Sequence, residues 1–197
     1  MTNDIILAGV GGQGILSIAA VIGIAALENG LHIKQSEVHG MSQRGGAVLS
    51  HLRISDQEIY SSLIPTGEAD MILSVEPMEL LRYIPFLKKG GFLISNTKPI
   101  KNIDNYPEID KLFNEINLHK DRILLDADVL AKKAGNIRAA NMVMLGAAAD
   151  HMVLKNEHLL EGIKSIFKAK GERIIDLNIE AFNLGREAGI EYLKDLT

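Results

Sequence analysis

A chain of 197 residues with 47% hydrophobic and 23% charged residues can bury its own core, and that composition excludes disorder and collagen-like repeats. The absence of cysteine excludes a disulfide scaffold, a cysteine nucleophile and a cysteine-ligated iron–sulfur cluster within the chain. A net charge of -4, 5% aromatic residues and no Trp leave neither a basic stripe nor a stacking platform, so no nucleic-acid partner is expected.

Length predicts one domain over residues 1–197. The N-terminal segment carries Asp4 and no basic residue before its apolar run, so it makes a poor signal peptide. The charge-free run from Val10 to Leu27 is interrupted by Gly11, Gly12, Gln13 and Gly14 and falls short of a ~20-residue membrane span. A cytoplasmic protein without membrane contact is expected.

In chain order, Asp4–Ala8 reads as a buried parallel strand ending at glycines. A helix follows over Gln13–Glu28, closed by Asn29-Gly30. Ile33–Val38 is a second strand and His39–Gly46 a polar, glycine-rich loop. Ala47–Ser55 places Val48, Leu52 and Ile54 on one face, which predicts a half-covered strand in a hairpin with Glu58–Ser61. Met71–Val75 is a strand, and Pro77 opens a helix running to about Lys89-Gly90. Phe92–Ser95 is the next strand, Thr97–Asn105 a loose loop, and Pro107 opens a short helix. Ile123–Leu125 is a strand, with Asp128 just after it as an N-cap candidate. Helices over Arg138–Leu154, His158–Lys168 and Ile179–Leu193 complete the chain. This alternation predicts a three-layer α/β/α sandwich with a mostly parallel, mixed sheet and a Rossmann-like N-terminal βα turn. Gly14–Leu27 has no charge and Arg138–Ala149 none after Arg138. A helix apolar all round must be covered on all sides, so either one is central and a partner covers the other, or both lie under the sheet and the terminal helices.

Gly9, Gly11 and Gly14 form GxGxxG between a strand and a helix. Such a turn lets backbone approach an anion at a helix N-terminus. Glu37, at the end of the second strand, sits where a ribose-binding acid would stand. No Lys follows the last glycine, so this is not an NTPase phosphate loop. Three readings stay open: a dinucleotide site, a site for another anion or a partner's loop, and glycines that merely permit close packing.

The second loop, SEVHGMSQRGG, carries Arg44 between Gln43 and Gly45-Gly46, an exposed guanidinium fork suited to carboxylate or phosphate. His39 can act as acid or base near neutral pH. The loop belongs at the same sheet edge as the first glycine turn; a solvated surface loop is the alternative.

GVGGQGI, SEVHGMSQRGGAVLSHLRI and AGNIRAANMVMLGA together resemble the gamma-type subunit of 2-oxoacid:ferredoxin oxidoreductases, over nearly the whole chain. The HGMSQRGG form favours the indolepyruvate branch over the pyruvate and 2-oxoglutarate enzymes. The resemblance implies a heteromer that oxidatively decarboxylates a 2-oxoacid to an acyl-CoA and passes electrons to ferredoxin. Thiamine diphosphate, Mg2+ and [4Fe-4S] clusters are then expected in a larger alpha subunit, with ferredoxin and coenzyme A met through the complex. A homodimer is the form considered for the isolated chain. In this reading no complete catalytic set resides here. The partner-facing or ligand-facing residues would be Gly9, Gly11, Gly12, Gln13, Gly14, His39, Met41, Gln43, Arg44, Gly45 and Gly46.

The remaining candidates read as structural. No histidine falls in an HExxH pattern, and Asp150-His151 reads as a solvated pair. Asp126 and Asp128 read as capping groups, and Asn136 and Asn141 as turn or cap residues. Met142, Met144 and Met152 read as core or interface filler.

Overall fold

The computed structural model describes residues 1–39 and 45–196, without the side chain of His39. Among these residues six strands form one sheet: β1 (Thr2–Val10), β2 (His32–His39), β3 (Ala47–Ser55), β4 (Ala69–Ser74), β5 (Leu87–Asn96) and β6 (Arg122–Leu125). Their spatial order is β2-β3-β1-β4-β5-β6. Only β3 runs against the others, pairing antiparallel with β2 and β1. The helices are α1 (Ile15–Glu28), α2 (Pro77–Arg82), α3 (Ile109–Asn117), α4 (Ala127–Lys133), α5 (Ala140–Ala148), α6 (Asn156–Phe167) and α7 (Glu172–Asp195). α1, α4, α5, α6 and α7 build a large core on one face of the sheet. α2 and α3 build a smaller core on the other. The three-layer α/β/α sandwich follows from strands that are apolar on both faces: Ile5 and Leu7 enter one core, Ile6 and Ala8 the other.

Three expectations are corrected. β3 is not half-covered and makes no hairpin with Glu58–Ser61. It lies between β2 and β1, where Thr2–Val10 offers nine partners in unbroken register. Residues 58–64 instead cross its other face, tied down by Arg53, whose guanidinium donates to Ser61 O and Leu63 O at 3.2 Å. The helix opened by Pro77 stops at Arg82. Pro85 lacks the N–H and carries the ring that a continuing helix would reject, so Leu87–Lys89 join β5. Asp126, not Asp128, caps α4, accepting the Val129 N–H at 3.0 Å.

The two charge-free helices differ in cover. α5 is enclosed within the chain, buried from Asn141 to Ala148. It meets α7 backbone to backbone: a Cβ on Gly146 would lie 1.9 Å from Phe182 O, and one on Gly185 1.9 Å from Val143 O. α1 turns an outward stripe to solvent among the described residues, with Leu16 46% and Leu27 62% exposed and Ala20 and Gly23 half-buried between them. No helix among the described residues is long and apolar enough to cross a membrane.

Candidate functional site

The strand order places a switch point between β1 and β4. The chain leaves β1 through α1 toward β2, and leaves β4 through α2, on the opposite face, toward β5. Open α/β sheets take ligands outside the carboxyl ends of two such strands. Here the β1 end is the glycine turn, and its residues pack tightly. Gln13 spans the switch point: its Oε1 accepts the Val10 N–H at 2.7 Å and its Nε2 donates to Val75 O at 2.8 Å. A Cβ on Gly9 would meet Val75 Cγ2 at 2.4 Å and Ile15 Cδ1 at 2.9 Å. Gly14 has φ 79°, a conformation side chains resist, and a Cβ there would meet Asn141 Nδ2 at 2.5 Å. Asn141 Nδ2 donates to Gly14 O at 3.1 Å, clamping the start of α1 to α5. A Cβ on Gly12, by contrast, would face open space. Close packing therefore accounts for Gly9 and Gly14.

The topology also separates Glu37 from the turn. In a dinucleotide fold the second strand neighbours the first, whereas here β3 lies between them, roughly one further strand spacing of ~4.8 Å away. Glu37 pairs in register with Ser50 and accepts a hydrogen bond from Gln35 Nε2 at 3.2 Å. The geometry does not favour a ribose contact.

The two glycine-rich loops meet. The Gly11 N–H donates to Gly46 O at 2.8 Å, and the Gly45 N–H points at Gly11 O at 3.5 Å. Asn102 Nδ2 donates to Gly45 O at 2.6 Å. The backbone of His39 ends β2 opposite Val48. Met41, Gln43 and Arg44 lie outside the described residues.

Behind this edge stands a polar cluster that composition and spacing do not reveal. Glu76 and Glu79 are both fully buried at the start of α2. The Glu76 carboxylate accepts the Glu79 N–H at 2.8 Å, the Ile100 N–H at 3.2 Å and the Tyr106 hydroxyl. Burial and the bond to Glu76 both push the Tyr106 phenol up, so it stays protonated. Burial pushes the Glu79 carboxyl up, opposed by Arg82, whose Nε lies 2.9 Å from Glu79 Oε2. The Glu76-Pro77 dipeptide marks a helix start, and the acid three residues on completes a capping pattern. Their burial follows from the loop that folds over them.

A cavity of about 600 Å3 opens beside the turn, on the side of α5 and α7, with Gln13, Ser17, Asn96, Asp128, Arg138 and Asn141 in its wall. Among the described residues no group of three His, Asp or Glu side chains could hold a metal ion. With no cysteine either, these residues do not fit an iron–sulfur cluster.

The family described as pyruvate ferredoxin/flavodoxin oxidoreductase matches residues 4–188. The chain belongs to this family. It is 40% identical to the indolepyruvate oxidoreductase subunit IorB of Pyrococcus horikoshii, covering 96% of this chain and 97% of that one. It is 34% identical to the 2-oxoglutarate synthase subunit KorC of Methanothermobacter marburgensis, covering 97% and 98%. Among solved structures, a keto/oxoacid ferredoxin oxidoreductase gamma subunit from Geobacter sulfurreducens superposes with a TM-score of 0.70 at 26% identity, covering 96% of this chain and 99% of that chain. The Pyrococcus and Geobacter relatives are subunits of oxidoreductases.

Within this family framework the structure brings Gly9, Gly11, Gly12, Gln13, Gly14, Gly45 and Gly46 to one edge. Asn136 caps a short turn as expected, accepting the Arg138 N–H at 3.0 Å. Met142 and Met144 are in the core. Asn141 proves to be a clamp on the glycine turn. Asp150 pairs with Arg186 at 2.9 Å, while His151 stacks on Phe92 with ring centroids 3.8 Å apart, so the two are not one solvated pair.

Proposed function

We propose that this chain is the small subunit of a cytoplasmic indolepyruvate:ferredoxin oxidoreductase, acting on an aryl 2-oxoacid to yield an aryl-acetyl-CoA. The observation that carries the reading is 40% identity to an indolepyruvate oxidoreductase subunit across both chains, against 34% to a 2-oxoglutarate synthase subunit. In this reading thiamine diphosphate, Mg2+ and the [4Fe-4S] clusters, which supply the carbanion and electron-transfer chemistry, reside in a larger alpha subunit. This chain supplies a shaped edge. Gly11, Gly12, Gln13 and Gly14, with His39, Met41, Gln43, Arg44, Gly45 and Gly46, face the alpha subunit near where substrate or coenzyme A enters. Arg44 takes an anionic group there, a partner carboxylate or a ligand phosphate. The outward stripe of α1 is a second face offered to the alpha subunit or, in the isolated chain, to another copy.

The test is co-purification with a larger, cysteine-rich partner, followed by assays on indolepyruvate, pyruvate and 2-oxoglutarate. Indolepyruvate is the preferred substrate of the complex, and Arg44→Ala lowers assembly or turnover while the subunit stays folded. Oxidation of a keto acid by the isolated chain refutes the proposal, as does wild-type assembly and turnover in the Arg44→Ala complex.

A further inference from the structure

We propose that residues 97–106 form a strap that sets the position of the double-glycine edge, with Asn102 as its positioning residue. The segment looks like a loose loop in the sequence, yet it is tied at both ends and at its tip. At the N-terminal root, Asn96 Oδ1 accepts the Ala127 N–H at 3.0 Å and the Lys98 N–H at 3.3 Å, and the Thr97 N–H reaches Leu125 O at 2.8 Å. On either side of the tip, the Ile100 N–H and the Tyr106 hydroxyl both donate to the buried Glu76 carboxylate. Glu76 has no spare polar atom in the backbone either, since its N–H and C=O engage the Ser74 hydroxyl at 3.2 and 2.6 Å. A carboxyl group fully buried and held by three donors is a fixed point, because losing a donor leaves a buried acceptor unpaired. From that fixed point the strap extends Asn102, whose Nδ2 grips Gly45 O at 2.6 Å. Gly45-Gly46 in turn pairs with Gly11.

The consequence is a relay of contacts running from α2 through Glu76, the strap and Asn102 to both glycine-rich turns. Gly45 and Gly46 have no side chain to pack, so the position of their turn depends on bonds to their backbone supplied from outside. Gly45 O receives its bond from Asn102. For its effect on assembly this inference rests on the reading of that edge as partner-facing; for its effect on position it does not.

The test uses Asn102→Asp, which keeps the shape and removes the donor, Asn102→Ala, and Tyr106→Phe, which removes one donor from Glu76. Amide exchange at Gly11 in the full chain reads the position directly. It accelerates about tenfold in both Asn102 variants, one hydrogen bond's worth, and less in Tyr106→Phe, with thermal midpoints close to wild type for Asn102→Ala. In the complex, Asn102→Ala weakens affinity for the larger subunit by about tenfold without changing which 2-oxoacid is preferred. Wild-type exchange at Gly11 in Asn102→Ala overturns the strap, whatever Arg44→Ala does. Accelerated exchange with an Arg44→Ala complex that assembles and turns over like wild type keeps the strap and refutes the partner-facing reading instead.

Discussion

Replacing Gly185 by Ala tests the backbone-to-backbone seam between α5 and α7. The added Cβ would stand 1.9 Å from Val143 O, whereas ordinary contact begins at 3.4 Å, so α5 and α7 must part by about 1.5 Å. Alanine gains roughly 1 kcal/mol of helix propensity over glycine. Against that, overpacking costs roughly 1–3 kcal/mol, and a gap of even ~0.5–1 Å forfeits a quarter to a half of each dispersion well along the seam. α5 is enclosed and cannot move toward solvent, so the cost lies near the upper end of that range and, less the propensity gain, we expect a net loss of about 2 kcal/mol. At roughly 2–4 °C per kcal/mol for a chain of this size, the midpoint falls by about 4–8 °C in differential scanning calorimetry. Gly23→Ala is the internal control. Its Cβ meets only the tip of the Ile33 side chain, Cδ1 at 3.4 Å, so propensity wins and the midpoint rises by a few degrees. A Gly185→Ala protein as stable as wild type would refute the backbone-to-backbone packing.

Three further outcomes are expected. Arg53→Ala strands Asp4, whose side chain is 12% exposed and held at 2.8 Å, and releases Ser61 and Leu63; stability drops by about 2 kcal/mol in urea titration and protease cuts appear near residues 58–64 first. Burial, then Arg53, lowers the His51 imidazole below its ordinary value of 6.5, and its Nδ1 accepts the Ile64 N–H. The unfolded chain then binds the extra proton, so stability falls as pH drops through about 6.5, and the midpoint difference between pH 7.5 and 5.5 is smaller in His51→Gln. An unchanged difference means that another group carries the pH dependence. Saturating NAD or FAD leaves the midpoint unmoved, because Gln13 spans the switch point and Glu37 stands beyond β3; a gain near the ~2.7 kcal/mol expected at a hundredfold excess over the dissociation constant would revive the dinucleotide reading.

Local chemistry is legible in this sequence and remote pairing is not. The first strand, its glycine turn and α1 can be read because strand, turn and helix are adjacent and each carries its own signal. The charge-free α5 announces its own burial. The place of β3 cannot be read, because Val48, Leu52 and Ile54 mark a covered face without saying which strands lie on either side. Gln13 is visible as part of a motif, but its second bond, to Val75 just past β4, reaches a residue 62 positions away. Asn141 looks like a cap, and its true partner, Gly14, lies 127 positions distant. Gly146 and Gly185 carry no pattern that couples them until two helices cross. Thr97–Asn105 shows the same limit: composition reads looseness, whereas Glu76 and Asn102 supply the ties.

The inserted β3 also shapes how the chain must come into being. Ile5 pairs with Leu52 on one side and Met71 on the other, so β1 precedes both of its neighbours in the chain and stays incomplete until β4 is made. At roughly 5–20 residues per second of synthesis, the 66 residues separating Ile5 from Met71 hold that strand without its second neighbour for about 3–13 s. Throughout that interval the apolar ribbon of β1 waits half-paired near the ribosome, and slowing translation after the third strand should raise the yield lost to aggregation more than the same pause placed downstream of Ser74.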